Sequence, residues 1–326
     1  MRKFLRPMLA AALAVLASAA HAAYPEKPIT MIVPYAPGGS TDALARIVAE
    51  AMGKDLGTTV IVENLGGVGG VPGVQKFLRS DNDGYTIMFS NMGSFAIAPT
   101  LYRSMKFDPK TEMEPIGLVA EVPMVLSVSA ASGIKNLPDL LKRLRDQSKP
   151  SVNLGNGGPG STAHIGAEYF LYLTKTKAQM VPYRGTGPAL VDLMAGTVDM
   201  LIDQTVAMIP ASKGGRVVPL AVASPERISQ MPDTPTFAEG GVPEFDIAVW
   251  NALAAPKGTP KDRMDKLVSA LNYALDDPKV KASLDSLGAL APQGERRGPA
   301  EMERLTSKDL DRFAKLIHDA NIPINP

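Results

Sequence analysis

The 326-residue chain contains no cysteine and only three histidines. Without thiols it can form no disulfide, no cysteine-ligated metal site and no thiol nucleophile. Its stability must come from a large apolar core, and roughly 300 residues suffice for two domains. His21 lies in the N-terminal segment described next, which leaves His164 and His318. A histidine-rich metal centre is thereby excluded, although carboxylate sites are not. An excess of one charge is missing too, with 34 basic residues against 33 acidic ones. Only one stretch resembles a long apolar run, residues 8–20. It follows Arg2, Lys3 and Arg6, and it ends in the small-x-small triplet Ala20-His21-Ala22. This is the pattern of a signal peptide over residues 1–22, too short for a comfortable membrane span. Loss of those three basic residues takes the formal charge from +1 to −2. Neither nucleic acid nor an anionic membrane is indicated as a partner.

What the chain does have is a turn around which the rest is organised, Ala36-Pro37-Gly38-Gly39-Ser40-Thr41-Asp42. The apolar run Ile29-Thr30-Met31-Ile32-Val33 precedes it. Leu44, Ile47, Val48, Ala51 and Met52 follow at helical spacing. The order is strand, glycine turn, helix, with Ser40 or Thr41 expected as N-cap and Asp42 in the first turn. First-turn N–H groups lack internal partners and carry partial positive charge, so such a turn can hold an anion. Gly157-Gly158-Pro159-Gly160-Ser161-Thr162-Ala163-His164 repeats the theme after Val152 and Leu154, and opens a second helix. Two such turns, one in each half of the chain, suggest a ligand with a carboxylate at each end.

Alternating strand and helix patterns predict an α/β fold with a parallel-type sheet in each of two lobes. Strands are expected at residues 58–62, 85–89, 116–119, 124–128, 179–183, 198–202 and 217–222. The chain should cross between lobes at residues 120–123 and return at residues 221–224. That gives lobe 1 as residues 23–121 plus 224–326 and lobe 2 as residues 122–223, joined by a hinge that permits closure. The glycines at 66, 67, 69 and 70 are expected to form a tight crossover. Gly155-Asn156-Gly157-Gly158-Pro159-Gly160 fits G-x-G-x-x-G, yet no acid ends the next strand, so no dinucleotide and no other cofactor is expected.

The chain resembles the periplasmic solute-binding proteins of tripartite tricarboxylate transporters, the Bug family. The resemblance rests on an ordered set of motifs: Tyr24-Pro25-x-Lys27-Pro28-Ile29, Pro37-Gly38-Gly39-x-x-Asp42, Gly66-Gly67-x-Gly69-Gly70, Asp83-Gly84-Tyr85-Thr86, Gly158-x-Gly160-Ser161-x-x-His164, Val181-Pro182-Tyr183-Arg184-Gly185, Trp250-Asn251 and Ala255-Pro256-x-Gly258-Thr259-Pro260. It implies a two-lobed Venus flytrap of type II-like topology, a periplasmic location and a monomer. It also implies a small carboxylate gripped between the turns at residues 37–42 and 158–164, with integral-membrane transporter subunits as partners. The chain departs from the family at Gly93-Ser94-Phe95-Ala96-Ile97-Ala98-Pro99, where Ser-Ser-His-Ala-x-Asn-Pro is usual, and at Arg184, where lysine is usual. If Phe95 lines the cleft, that wall is less polar and favours aromatic or longer-chain acids.

Candidate ligand-binding residues are therefore Tyr35, Pro37, Gly38, Gly39, Ser40, Thr41 and Asp42 on the first turn. The loop after the third strand adds Ser90, Asn91, Ser94 and Phe95. The second turn adds Gly158, Gly160, Ser161, Thr162 and His164, and strand ends add Tyr183, Arg184 and Asp203. Asp42 is expected to cap its helix, because it would repel an anionic ligand. Asp203 could meet a ligand amine. No catalytic residue or metal ligand is expected. Two other readings stay open: a ligand-sensing subunit for a signalling kinase, and an exported hydrolase using Ser161 with His164, for which no acid is placed to orient the imidazole.

Overall fold

A computed structural model describes residues 24–102 and 107–323. The leader expected at residues 1–22 lies outside the described residues.

The first lobe is built on β1 (Ile29–Val33), β2 (Val60–Asn64) and β3 (Thr86–Asn91), which run parallel in the order β2-β1-β3. Between β1 and β2 lies α1 (Ser40–Leu56). Leu44, Ala45, Val48, Ala49 and Met52 are buried along one side, while Arg46, Glu50 and Lys54 face solvent. Burial of each large aliphatic chain contributes about 1.5–3 kcal/mol, and this holds the helix against the sheet. Gly57 ends it in the left-handed conformation, with its N–H bonded to Gly53 O. A short helix, α2 (Val71–Leu78), leads into β3. A π-turn (Gly93–Ile97) and α3 (Ala98–Leu101) follow it.

The two strands expected at residues 116–119 and 124–128 are one. β4 (Met113–Ser129) runs unbroken for 17 residues. Pro115 and Gly117 are absorbed by a register shift rather than by a turn, and Pro123 stays in register opposite Ala248, because the flanking residues are apolar and buried. Residues 113–123 of β4 pair with β9 (Ala248–Pro256), which also pairs with β3, in the first lobe's sheet. Residues 124–129 pair with β7 (Met200–Gln204) and β8 (Val217–Val222) in the second.

In the second lobe, β5 (Asn153–Asn156) lies parallel to β6 (Gln179–Pro182) and to β7. Its helices are α4 (Leu137–Arg145), α5 (Thr162–Thr174), α6 (Thr186–Ala195) and α7 (Thr205–Lys213). Each lobe thus has a parallel three-strand core completed by antiparallel strands. The return expected at residues 221–224 comes later. Phe237 and Phe245 pack on Phe170 of α5, and Tyr169 donates its hydroxyl to Glu244 O. Residues 224–247 accordingly lean on the second lobe's helix, and the chain returns as β9. The proposed lobe limits move with it, to a hinge made of the β4–β9 pair. α8 (Lys261–Asp276), α9 (Pro278–Ser286) and α10 (Pro299–Asp319) close the chain. α8 packs on α1, and α10 packs on β4 and on the π-turn.

Candidate functional site

Every loop that meets between the lobes leaves the carboxyl end of a parallel strand, where open α/β sheets place their ligands. The turn after β1 and the turn after β5 face each other, as the sequence led one to expect. They share one cavity with about 20 Å³ of free space, room for a single water-sized group. Its wall includes Tyr35, Gly39, Thr41 and Asp42 from the first lobe, with Asn91 from the loop after β3. The second lobe contributes Ser161, Thr162 and Asp203. The lobes are closed on one another: Ala36 N–H donates to Arg184 O (2.9 Å), Ser40 Oγ to Asp203 Oδ2 (3.2 Å) and Tyr102 OH to Pro159 O (2.8 Å).

The sequence pointed to two helix N-termini, and the fold brings four to the cavity. Gly39, not Ser40 or Thr41, is the N-cap of α1, and Ser161 caps α5 by accepting from His164 N–H (3.1 Å). Thr186 opens α6 and Gln204 is the N-cap of α7, and both line the cavity. These two were missed. The signal was present in Gly185-Thr186-Gly187, a third glycine turn ahead of an apolar helix face. Among the described residues, no lysine, arginine or histidine lines the cavity. Its positive character comes from helix ends, whose first-turn N–H groups have no acceptor within the helix.

Several candidate donors are already engaged. Gly38 N–H donates to Asp42 Oδ2 (3.0 Å), and Asn64 Nδ2 and Arg46 Nε donate to the same carboxylate. Burial alone would raise the Asp42 carboxyl. Hydrogen bonds from Arg46, Gly38 and Asn64 outweigh it and hold the group below its ordinary value. Asp42 therefore shapes its turn from within. Gly160 N–H donates to the His164 Nδ1 ring nitrogen (3.4 Å), and His164 Nε2 lies 3.8 Å from Glu168. Burial pushes His164 down to about 4, so the ring is a neutral acceptor that braces the second turn from behind. The Ser161 hydroxyl is bonded to the His164 backbone rather than to its ring, which removes the serine–histidine pairing a hydrolase would need.

Beneath the first turn, Ser90 Oγ donates to Ser94 Oγ (2.8 Å) and Tyr35 OH lies 3.2 Å from Ser94 Oγ. Asn91 Nδ2 donates to Thr41 Oγ1 (2.9 Å). Burial raises the Tyr35 phenol, which stays a neutral hydroxyl. Ser90 and Ser94 thus support the wall without forming it. Phe95 does not line the cleft. It is fully buried and stacks on Trp250, with ring centroids 5.7 Å apart and planes 7° from parallel. The inference toward aromatic acids loses that support. Pro37, Tyr183 and Arg184 sit at the outer rim: Arg184 is exposed, and the Tyr183 hydroxyl donates to Asp192 (2.5 Å). Gly158 backs the cavity, its N–H held by Asn156 Oδ1 (2.9 Å). The glycines of residues 66–70 are more than a crossover. A Cβ on Gly69 would lie 1.7 Å from Pro159 O across the lobe interface.

Asp203 is 2% exposed. Burial pushes its carboxyl up to about 6, opposed by the Thr186 hydroxyl, the Gln204 N–H and the Ser40 hydroxyl. Among the described residues no group of three or more metal-ligating side chains is assembled.

Two lobes joined by paired strands, closing on a pocket of helix N-termini, define a periplasmic binding protein of the Venus-flytrap kind. The chain belongs to the family described as "Tripartite tricarboxylate transporter family receptor", which matches residues 44–322. It is 35% identical over 318 residues to a UPF0065 protein of Agrobacterium vitis, covering 98% of this chain and 91% of that one. The structure of the periplasmic binding protein BugD superposes with a TM-score of 0.88 at 36% identity, over 92% of this chain and 99% of that one. MatC of Rhodopseudomonas palustris, solved with bound malate, gives 0.86 at 32% identity, over 90% and 100%. A second R. palustris protein, solved with adipate, gives 0.86 at 31%, over 92% and 99%.

Proposed function

We propose that this protein is a non-catalytic receptor that captures a small carboxylate, a dicarboxylate above all, in the periplasm and presents it to the membrane subunits of a tripartite transporter. The observation that carries this reading is the convergence of four helix N-termini, from both lobes, on one cavity that no cationic side chain lines among the described residues. Each terminus contributes up to about 2 kcal/mol toward a partly buried anion, and each hydrogen bond to a charged group about 1.5–3 kcal/mol. Contacts at both ends of a diacid then reach micromolar affinity without a metal. Ser40 and Thr41 N–H groups would hold one carboxylate and those of Thr162 and Ala163 the other. Relatives solved with malate and adipate support the ligand class. The charge pattern of residues 1–22 supports export, and we take the receptor to act as a monomer.

Isothermal titration against four- to six-carbon dicarboxylates and aromatic acids tests the reading, on protein first refolded to remove carried-over ligand. At least one acid should bind with a Kd of ~10 μM or tighter. Silence across the whole panel would end it.

A further inference from the structure

The cavity carries one charge that its helix ends do not explain. Asp203 and Asp42 are the two carboxylates in the wall. Asp42 is satisfied from behind by Arg46, Asn64 and Gly38. Asp203 has no cationic partner among the described residues. Its side-chain donors are two hydroxyls, Thr186 in its own lobe and Ser40 from the facing lobe, at 3.2 Å. A buried carboxylate is costly unless its lone pairs are filled.

Resting on the carboxylate reading given above, we propose that Asp203 selects acids bearing a hydroxyl or ammonium group on the carbon next to one carboxylate. In the closed form without ligand, Ser40 supplies its hydroxyl to Asp203. A carboxylate docked on the Ser40 and Thr41 N–H groups competes for that hydroxyl, and Asp203 loses one of its donors. It is then left underbonded and next to a like charge, which penalises a plain diacid. A 2-hydroxy or 2-amino acid restores the missing donor from the ligand itself, at the position Ser40 vacated. The ammonium group also neutralises the charge. The ligand and Asp203 thus exchange partners, and the same exchange replaces one inter-lobe hydrogen bond by a bridge through the ligand.

The test is a matched series titrated calorimetrically: succinate, malate and aspartate, with glutarate, 2-hydroxyglutarate and glutamate at the next length. Whichever length binds, the 2-amino or 2-hydroxy member should bind at least ~10-fold more tightly than the plain diacid, the ratio expected for one hydrogen bond to a charged group. Asp203→Asn should bring the plain diacid to within ~3-fold of the others by removing the charge while keeping the shape. Plain diacids binding as well as or better than their substituted partners in the unaltered protein would overturn the selection and leave the carboxylate reading standing. An unchanged ranking in Asp203→Asn, with a native circular dichroism spectrum, would do the same. Absence of binding by every acid in both series would overturn this proposal, and silence across the wider panel given above as well would remove the carboxylate reading with it.

Discussion

Asp42 and His164 stand among the candidate contacts, and both are bonded inside their own turns, the role expected of Asp42. Asp42 gathers Gly38, Arg46 and Asn64 around one carboxylate. Asp42→Ala should lower stability by about 1–3 kcal/mol and weaken ligand binding ~10-fold, because a charge-assisted network is lost and the first turn loosens. Thermal melts and titrations read both effects. For His164 the sign of the pH effect follows from its depressed pKa. The unfolded imidazole, near 6.5, takes up a proton before the folded one, near 4, does. The stabilisation is whole above pH 6.5 and is lost as pH falls toward 4. Urea melts at pH 7 and 4.5 should show a loss of ~1–3 kcal/mol that His164→Asn abolishes. A slope unchanged by that substitution would show that other groups govern acid stability. Residue types and spacing marked both turns, but hydrogen-bond direction decides which atoms remain free. That depends on neighbours 22 residues away in the case of Asn64, which no local pattern reveals.

At the level of elements, the strand and helix starts were legible wherever an apolar face met a glycine or proline boundary, as in β1, α1 and β8. Two features were not. Pro123 reads as a break, yet β4 continues through it because partners on both sheets hold the strand extended. Residues 224–247 have little regular structure, so nothing in their periodicity says which lobe they lean on; Phe237 and Phe245 settle it by packing on Phe170. The start of α6 yields a sharp prediction. A Cβ on Gly187 would lie 2.2 Å from Pro37 O and 3.0 Å from Gly38 C, both in the other lobe. Alanine fits this helix, so Gly187→Ala should leave the melting temperature unchanged or slightly higher. It should also bar full closure and cost at least ~10-fold in affinity. Small-angle scattering should show a larger radius of gyration than the parent protein. An equal radius and equal affinity would mean that closure does not need this contact.

On the scale of the whole molecule, hydrogen bonds from Ala36 to Arg184, Ser40 to Asp203 and Tyr102 to Pro159 hold the lobes together, so a ligand that enters between the turns must part them by opening the β4–β9 hinge. Ligand binding is then a population shift, because only the shut form lets one molecule touch both turns. The two-lobed plan was readable from the repeated glycine turn. The most direct measurement is a crystal structure of this protein with the tightest-binding dicarboxylate. The account predicts one carboxylate on the N–H groups of Ser40 and Thr41 and the other on those of Thr162 and Ala163. A ligand held by one lobe alone, or seated on the outer rim beside Arg184, would contradict it.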